Sequence, residues 1–146
     1  MRVRTAKPQD AALLRPLFES FYGDYLEART SEAVRRNMKA AASVDTVLLA
    51  TVDGRAAGFA SLRLIPQLEA AAPHAELSDL YVADAYRRRG VGRALMRSAE
   101  QLAREKGSSR VVLTAGLDNE GARAFYRALG YVAFGLTLQR HLEESA

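Results

Sequence analysis

The stretch YRRRGVGRALM, Tyr86 to Met96, sets three arginines in front of two glycines two residues apart, where an amphipathic helix begins. A helix N-terminus carries partial positive charge and four unpaired N–H groups. It ordinarily attracts Asp or Glu, with Ser, Thr, Asp or Asn as the cap. Here Arg87, Arg88 and Arg89 stand in that place, with no side-chain acceptor. A strand before, a bare helix start after, and glycines that allow close backbone approach together describe a phosphate or pyrophosphate site. The competing reading, a solvated arginine cluster at an ordinary turn, leaves the missing cap and the paired glycines unexplained.

Other phosphate motifs do not fit. No G-x-x-x-x-G-K-[ST] loop occurs, and a G-x-G-x-x-G fingerprint fails at its third glycine, where Leu95 stands. The charge distribution points the same way. Five arginines and one aspartate lie between Asp84 and Arg97, which accounts for the whole net charge of +4. The basicity is therefore focal and suits a small polyanion. A duplex usually needs a wider basic stripe, which disfavours nucleic acid as the partner.

Working outward from this stretch, ELSDLYV (Glu76–Val82) reads as the strand leading into it. The helix after it carries Val91, Leu95, Ala99 and Leu102 on one face and stops near Gly107. RVVLTA (Arg110–Ala115) reads as a short buried strand. Upstream, VRTA (Val3–Ala6) is a first strand. Pro8 opens a helix with Leu14, Leu17, Phe18 and Phe21 at helical spacing. Ser31 is placed to cap a second helix carrying Val34, Met38 and Ala41. TVLLATVDGRAAGFASLRLI is a hairpin about Asp53-Gly54, and Gln67–Ala75 is a loop. Downstream, Asp118 or Asn119 caps a helix with Ala122, Phe125, Tyr126 and Leu129, and Gly130 ends it. YVAFGLTLQRHL, from Tyr131, is a terminal strand. The order β-α-α-β-β-β-α-β-α-β predicts one α/β domain over 1–146, a mixed sheet with helices on both faces and a parallel crossover from Glu76 to Ala115.

R-R-R-G-V-G, Arg87 to Gly92, resembles the [Q/R]-x-x-G-x-[G/A] signature of the GNAT superfamily of N-acyltransferases. LYVADAYRRRGVGRALM resembles that family's strand-4-to-helix-3 motif, and DNEGARAFYRALGY its strand-5-to-helix-4 motif. The first fifty residues match only in the order of their elements. The resemblance implies that acetyl-CoA is the cosubstrate. Its pyrophosphate would lie on the backbone N–H groups around Arg87, Arg88, Arg89, Gly90, Val91, Gly92 and Arg93. Its pantetheine arm would pair with the strand edge at Leu80, Tyr81 and Val82 and contact Asn119. A homodimer is common in the family.

Acyl transfer to an amine requires a neutral amine, a polarised thioester carbonyl and protonation of the leaving thiolate. Cysteine is absent, no G-x-S-x-G elbow occurs, and His74 and His141 lie far apart. Direct attack by the amine in a ternary complex is then the simplest route, with no metal. Tyr126 is the candidate acid. It lies seven residues after Asn119, two turns along one helix face, and the resemblance puts a tyrosine of this FY pair near the CoA sulfur. Core packing beside Phe125 is the competing role for Tyr126, and a plain N-cap for Asn119. Glu76, fourteen residues before Gly90, is similar to the strand-4 glutamate that acts as base in some family members. Asp79 is its rival, and strict alternation places it on the opposite sheet face. A bulge between them, common in this strand of the family, would change that relation, and water remains a third choice. Tyr22 and Tyr25, with Phe21, are candidates for the acceptor site, and Asp24 or Glu27 for holding a cationic amine.

A chain of 146 residues, 49% hydrophobic and 26% charged, suits a single globular core. No apolar run approaches a membrane span and the N-terminus is polar, so the expected location is the cytoplasm. The function expected is acetyl transfer from acetyl-CoA to a primary amine. Its alternatives are a non-catalytic CoA-binding or regulatory domain, and a nucleic-acid-contacting module.

Overall fold

Asp53 and Gly54 both hold positive φ, 51° and 76°, as a type I′ turn between right-twisted strands requires. They join β2 (Asp45–Val52) to β3 (Arg55–Ile65), the central hairpin of the sheet. The computed structural model describes residues 1–143 of the chain. These residues divide into two compact units, Met1–Leu113 and Thr114 onward. In the first, β1 (Arg2–Thr5), α1 (Ala11–Tyr22) and α2 (Ser31–Ala41) precede the hairpin. β4 (His74–Val82), α3 (Val91–Glu105) and β5 (Val111–Leu113) follow it. The sheet runs in the order β1-β2-β3-β4-β5. β1 to β4 are antiparallel neighbours, and β5 joins β4 in parallel after the α3 crossover. The fold class is the mixed α/β one expected from the sequence.

Alternation along the central strands sends neighbouring residues to opposite faces, each covered by a helix. Leu49 and Phe59 face α1 and α2, where they pack with Ala11, Leu14, Leu17 and Val34. Gly58, one residue from Phe59, faces the other way, toward Leu95 of α3. The buried stripe of α3 is Val91, Leu95, Met96, Ala99 and Ala103, at helical spacing. Thr30 rather than Ser31 caps α2, its hydroxyl accepting from the Ala33 N–H at 3.1 Å. β4 begins two residues before Glu76, and β5 is limited to three half-buried residues.

Gly58 allows β3 and β4 to approach closely just where β4 runs toward the arginine turn. A Cβ there would lie 2.5 Å from the Tyr81 carbonyl oxygen and 3.2 Å from the Val82 Cα. Both are backbone atoms and cannot turn aside. Gly58→Ala should therefore destabilise the fold by about 1–3 kcal/mol, as overpacking does, and lower the melting temperature by roughly 3 °C or more. An unchanged melting curve would contradict the close approach.

The second unit is built on α4 (Glu120–Ala128). Gly130 follows it at a φ of 95°, the left-handed stop that glycine supplies at a helix end. Ring contacts join Phe125 to Tyr126 at 5.3 Å and Tyr126 to Tyr131 at 5.8 Å. The expected terminal strand YVAFGLTLQRHL is not formed. From Tyr131 to Glu143 the described residues carry no regular secondary structure. Its alternation is that of a strand, but a strand exists only where a neighbour takes its N–H and C=O groups. No ladder in this sheet includes it.

Candidate active site

Gly90 is the N-cap residue of α3, held at φ 81° and ψ 8°, in the left-handed region. It brings no side chain to the helix start, and no acidic residue occupies the first turn. Arg88 also has positive φ, 61°, uncommon away from glycine. Two left-handed residues so close together fold the chain sharply from the short 3₁₀ turn Asp84–Tyr86 into α3. Of the three arginines, Arg87 braces this turn. Its Nε donates to the Val82 carbonyl at 3.0 Å, and its guanidinium lies 3.1 Å from Asp84 and 5.8 Å from the Tyr81 ring centre. Arg89 lies over Tyr86 at 5.8 Å. Arg88, Gly90 and Arg93 are exposed, and Val91 is buried as the first core residue of the helix.

The strand that leads here has an open edge. β4 pairs with β5 only through Ala75, Glu76 and Leu77, while on its other side it stays paired with β3 as far as Val82. Leu80, Tyr81 and Val82 therefore have no strand neighbour on the β5 side among the described residues. An extended, amide-bearing ligand can add to such an edge as a strand does. Edge and helix start are consecutive in the chain, so one elongated ligand with an anionic end can use both.

The face of the sheet beneath α1 carries the titratable groups. The β3–β4 register shifts between Ser61 and Leu62: Ser61 faces Asp79, whereas Leu62 faces Leu77. Ser78 is the extra residue of a bulge, and it restores Glu76 and Asp79 to one face. Strict alternation is thus corrected, and both carboxylates stand beneath α1. Arg63 is opposite Glu76 and opposite Asp45, to which it donates from Nε at 2.8 Å. The Tyr22 hydroxyl donates to Asp79 Oδ2 at 2.6 Å. Tyr22 belongs to an aromatic cluster with Phe18, Phe21, Phe59 and Tyr81. Three carboxylates thus share this face with one guanidinium, which Asp45 already engages.

Burial pushes the Asp79 carboxyl above its ordinary range, outweighing the Tyr22 hydrogen bond and the nearby Arg63 charge. Burial also pushes the Tyr22 phenol far above its ordinary value, and the hydrogen bond to Asp79 adds to it. A carboxyl whose folded pKa is raised binds its proton more tightly in the folded chain. The stability it contributes is lost as pH rises from the ordinary value of 3.8 through the folded one. Asp79→Asn, which cannot ionise, should thus gain stability relative to the parent between pH 4 and 7. Equal melting temperatures across that range would show that Asp79 ionises without cost.

Glu76 has a more open setting, its side chain 40% exposed and 3.9 Å from His74 Nε2. Tyr25 is 92% exposed and stands apart from the aromatic cluster that holds Tyr22. Asp24 and Glu27 are also exposed. In the second unit, the Asn119 side chain caps α4 by accepting from the Ala122 N–H at 3.0 Å. Tyr126 is half-buried, and burial raises its phenol above the ordinary value. Sequence reasoning missed the contribution of Asp45 and Arg63. Their signal lies in the hairpin register, but a second shift between Ala50 and Thr51 conceals it. Among the described residues no His/Cys/Asp/Glu cluster suits a metal, and no helix is long and apolar enough to cross a membrane.

Comparison with known proteins shows the family and the fold. A Bacillus subtilis (strain 168) protein named uncharacterized N-acetyltransferase YhfO is 29% identical over 135 residues, spanning 90% of this chain and 89% of its own. A crystal structure described as a probable acetyltransferase superposes with a TM-score of 0.82 at 27% identity, covering 100% of this chain and 99% of the other. The aminoglycoside acetyltransferase meta-AAC0020, from an uncultured soil metagenomic sample and solved with sisomicin, shares the fold. Its TM-score is 0.84 at 21% identity, over 99% of this chain and 96% of that one. Residues 12–131 match the model of the acetyltransferase (GNAT) family. That span takes in the arginine turn, the open β4 edge and all of α4, and the chain therefore belongs to the GNAT family, as an acyltransferase that moves an acetyl group to an amine.

Proposed function

We propose that this chain, one acetyltransferase domain over 1–146, acetylates a cationic primary amine by direct attack within a ternary complex. Acetyl-CoA, the family's cosubstrate, supplies an acetyl group activated as a thioester. The observation that carries the reading is the uncapped, left-handed start of α3 continuous with the unpaired β4 edge. The N–H groups around Arg88 to Arg93 suit the pyrophosphate, with the helix dipole favouring its charge. The Leu80–Val82 edge suits the amides of the pantetheine arm, and Asn119, beyond its capping role, contacts the same arm.

Glu76, Asp79 and Tyr22 make the acceptor side. The carboxylates under α1 attract an ammonium ion, and the Tyr22 hydroxyl holds Asp79 in place. The Glu76 carboxylate takes the proton that the ammonium must lose before it can attack. Tyr126 Oη then donates a proton to the departing sulfur. Glu76→Gln should lower the rate most at mildly acidic pH, where more of the amine is protonated. A pH–rate profile overlaying the parent's would transfer the base role to water or another residue.

The function is tested by offering acetyl-CoA with a panel of amines, among them aminoglycosides, polyamines, amino acids and peptides, and measuring free CoA. Thiol release that depends on the amine is the expected result. Acetyl-CoA binding with no release for any amine would instead identify a non-catalytic CoA-binding domain.

A further inference from the structure

We infer that Arg63 selects the acceptor by binding a carboxylate beside the reacting amine, so that the substrate is a free α-amino acid. This rests on the acetyl transfer proposed above and narrows its acceptor. Asp45, Arg63 and Glu76 form one row across β2, β3 and β4, each directly opposite the next and on one face of the sheet. Asp45 takes the side of the guanidinium, accepting from Nε at 2.8 Å and from Nη2 at 3.2 Å. Neither bond engages Nη1. Opposite charges that face each other across a ladder attract, yet among the described residues no ion pair joins Arg63 to Glu76. The Glu76 carboxylate instead lies 3.9 Å from His74 Nε2.

A cation and an anion held side by side without pairing are complementary to a group that carries the opposite charges close together. An α-amino acid is such a group. Its ammonium suits Glu76 and Asp79, and its planar carboxylate suits the free end of the Arg63 fork. Both side chains are open to a ligand, Arg63 being 42% and Glu76 40% exposed. Asp45 fixes the guanidinium before the ligand arrives, so less side-chain freedom is lost on binding. The guanidinium pKa is raised above its ordinary value, first by the Asp45 hydrogen bond and further by the Glu76 and Asp79 charges, so all three carboxylates lie within its field. A polycation fits this row less well, because Arg63 already neutralises Asp45 and repels a second positive charge. A peptide N-terminus lacks the neighbouring carboxylate.

The test sets each common amino acid beside its carboxamide, which keeps the amine and the side chain and removes the negative charge. Thiol release from acetyl-CoA gives kcat/KM for both, in the parent and in Arg63→Met. For the best-used pair, the acid-to-amide ratio should be roughly 10- to 100-fold higher in the parent than in the variant, the factor a charge-assisted hydrogen bond carries. The lower basicity of the amide's amine enters both ratios equally and cancels. Calorimetry on the parent in the presence of CoA is the second measurement, and the acid should bind more tightly than its amide even if the variant folds poorly. An equal ratio in parent and variant would overturn the proposal. So would a parent that neither binds nor acetylates any amino acid while acetylating polyamines or peptides, a result that leaves the acetyl transfer itself standing. Arg63-dependent binding of an amino acid with no thiol release from any amine would support the carboxylate site and count against the transfer.

Discussion

Tyr126→Phe should lower turnover roughly 10²–10⁴-fold, the usual loss when a general acid is removed, while acetyl-CoA affinity and melting temperature stay near the parent's. The substitution keeps the ring, and with it the edge-to-face contacts to Phe125 and Tyr131. Only the hydroxyl is lost. Burial raises the pKa of that hydroxyl above an ordinary value of 10.0, so it is protonated at neutral pH and available to a departing thiolate. The sign is favourable for an acid, because raising the pKa extends the range over which the proton is held. Near-parent turnover with a lower melting temperature would make Tyr126 a packing aromatic with a structural hydrogen bond, and the acid would have to be sought elsewhere.

Gly90→Val should weaken acetyl-CoA binding roughly 5- to 30-fold. The cause is backbone conformation and not lack of room. A Cβ on Gly90 meets nothing within 4 Å, but the residue sits at φ 81°, where an L side chain costs about 1–2 kcal/mol and a β-branched one fits worst. The turn relieves that strain by leaving the left-handed state, and the fraction of molecules with the N–H groups correctly aimed falls accordingly. Apparent affinity falls by the same fraction. Calorimetry on parent and variant measures this directly, and equal affinities would remove Gly90 from the site. Single substitutions of Arg88 or Arg93 should matter less, since each is an exposed charge screened by solvent.

Much of the fold was legible because its signals are local. Asp53-Gly54 permits one hairpin turn, the α3 stripe from Val91 to Ala99 permits one buried face, and the glycines beside Arg89 leave one helix end bare. Two features lie beyond local pattern, the β4 bulge, which the family resemblance offered and alternation alone did not, and the pairing of Tyr22 with Asp79. Bulges shift strand register without a marker of their own. Ser78 looks like any polar residue in a strand, yet it moves Asp79 to the face of Glu76 and Tyr22. The pairing of Tyr22 with Asp79 spans 57 positions and depends on how α1 crosses the sheet, which no local pattern encodes. The terminal segment failed in the opposite way. Alternation from Val132 to Leu138 advertises a strand, but a strand is assigned only where a ladder forms, and among the described residues no ladder includes this segment.

The central claim is that the backbone at the start of α3 binds the cosubstrate's pyrophosphate and the β4 edge receives its arm. Backbone amide resonances followed by NMR during titration with CoA test this most directly. The largest shifts should fall on Arg88 to Arg93, followed by Leu80 to Val82, and should saturate together. CoA binding that leaves those amides unmoved while others shift would contradict the account.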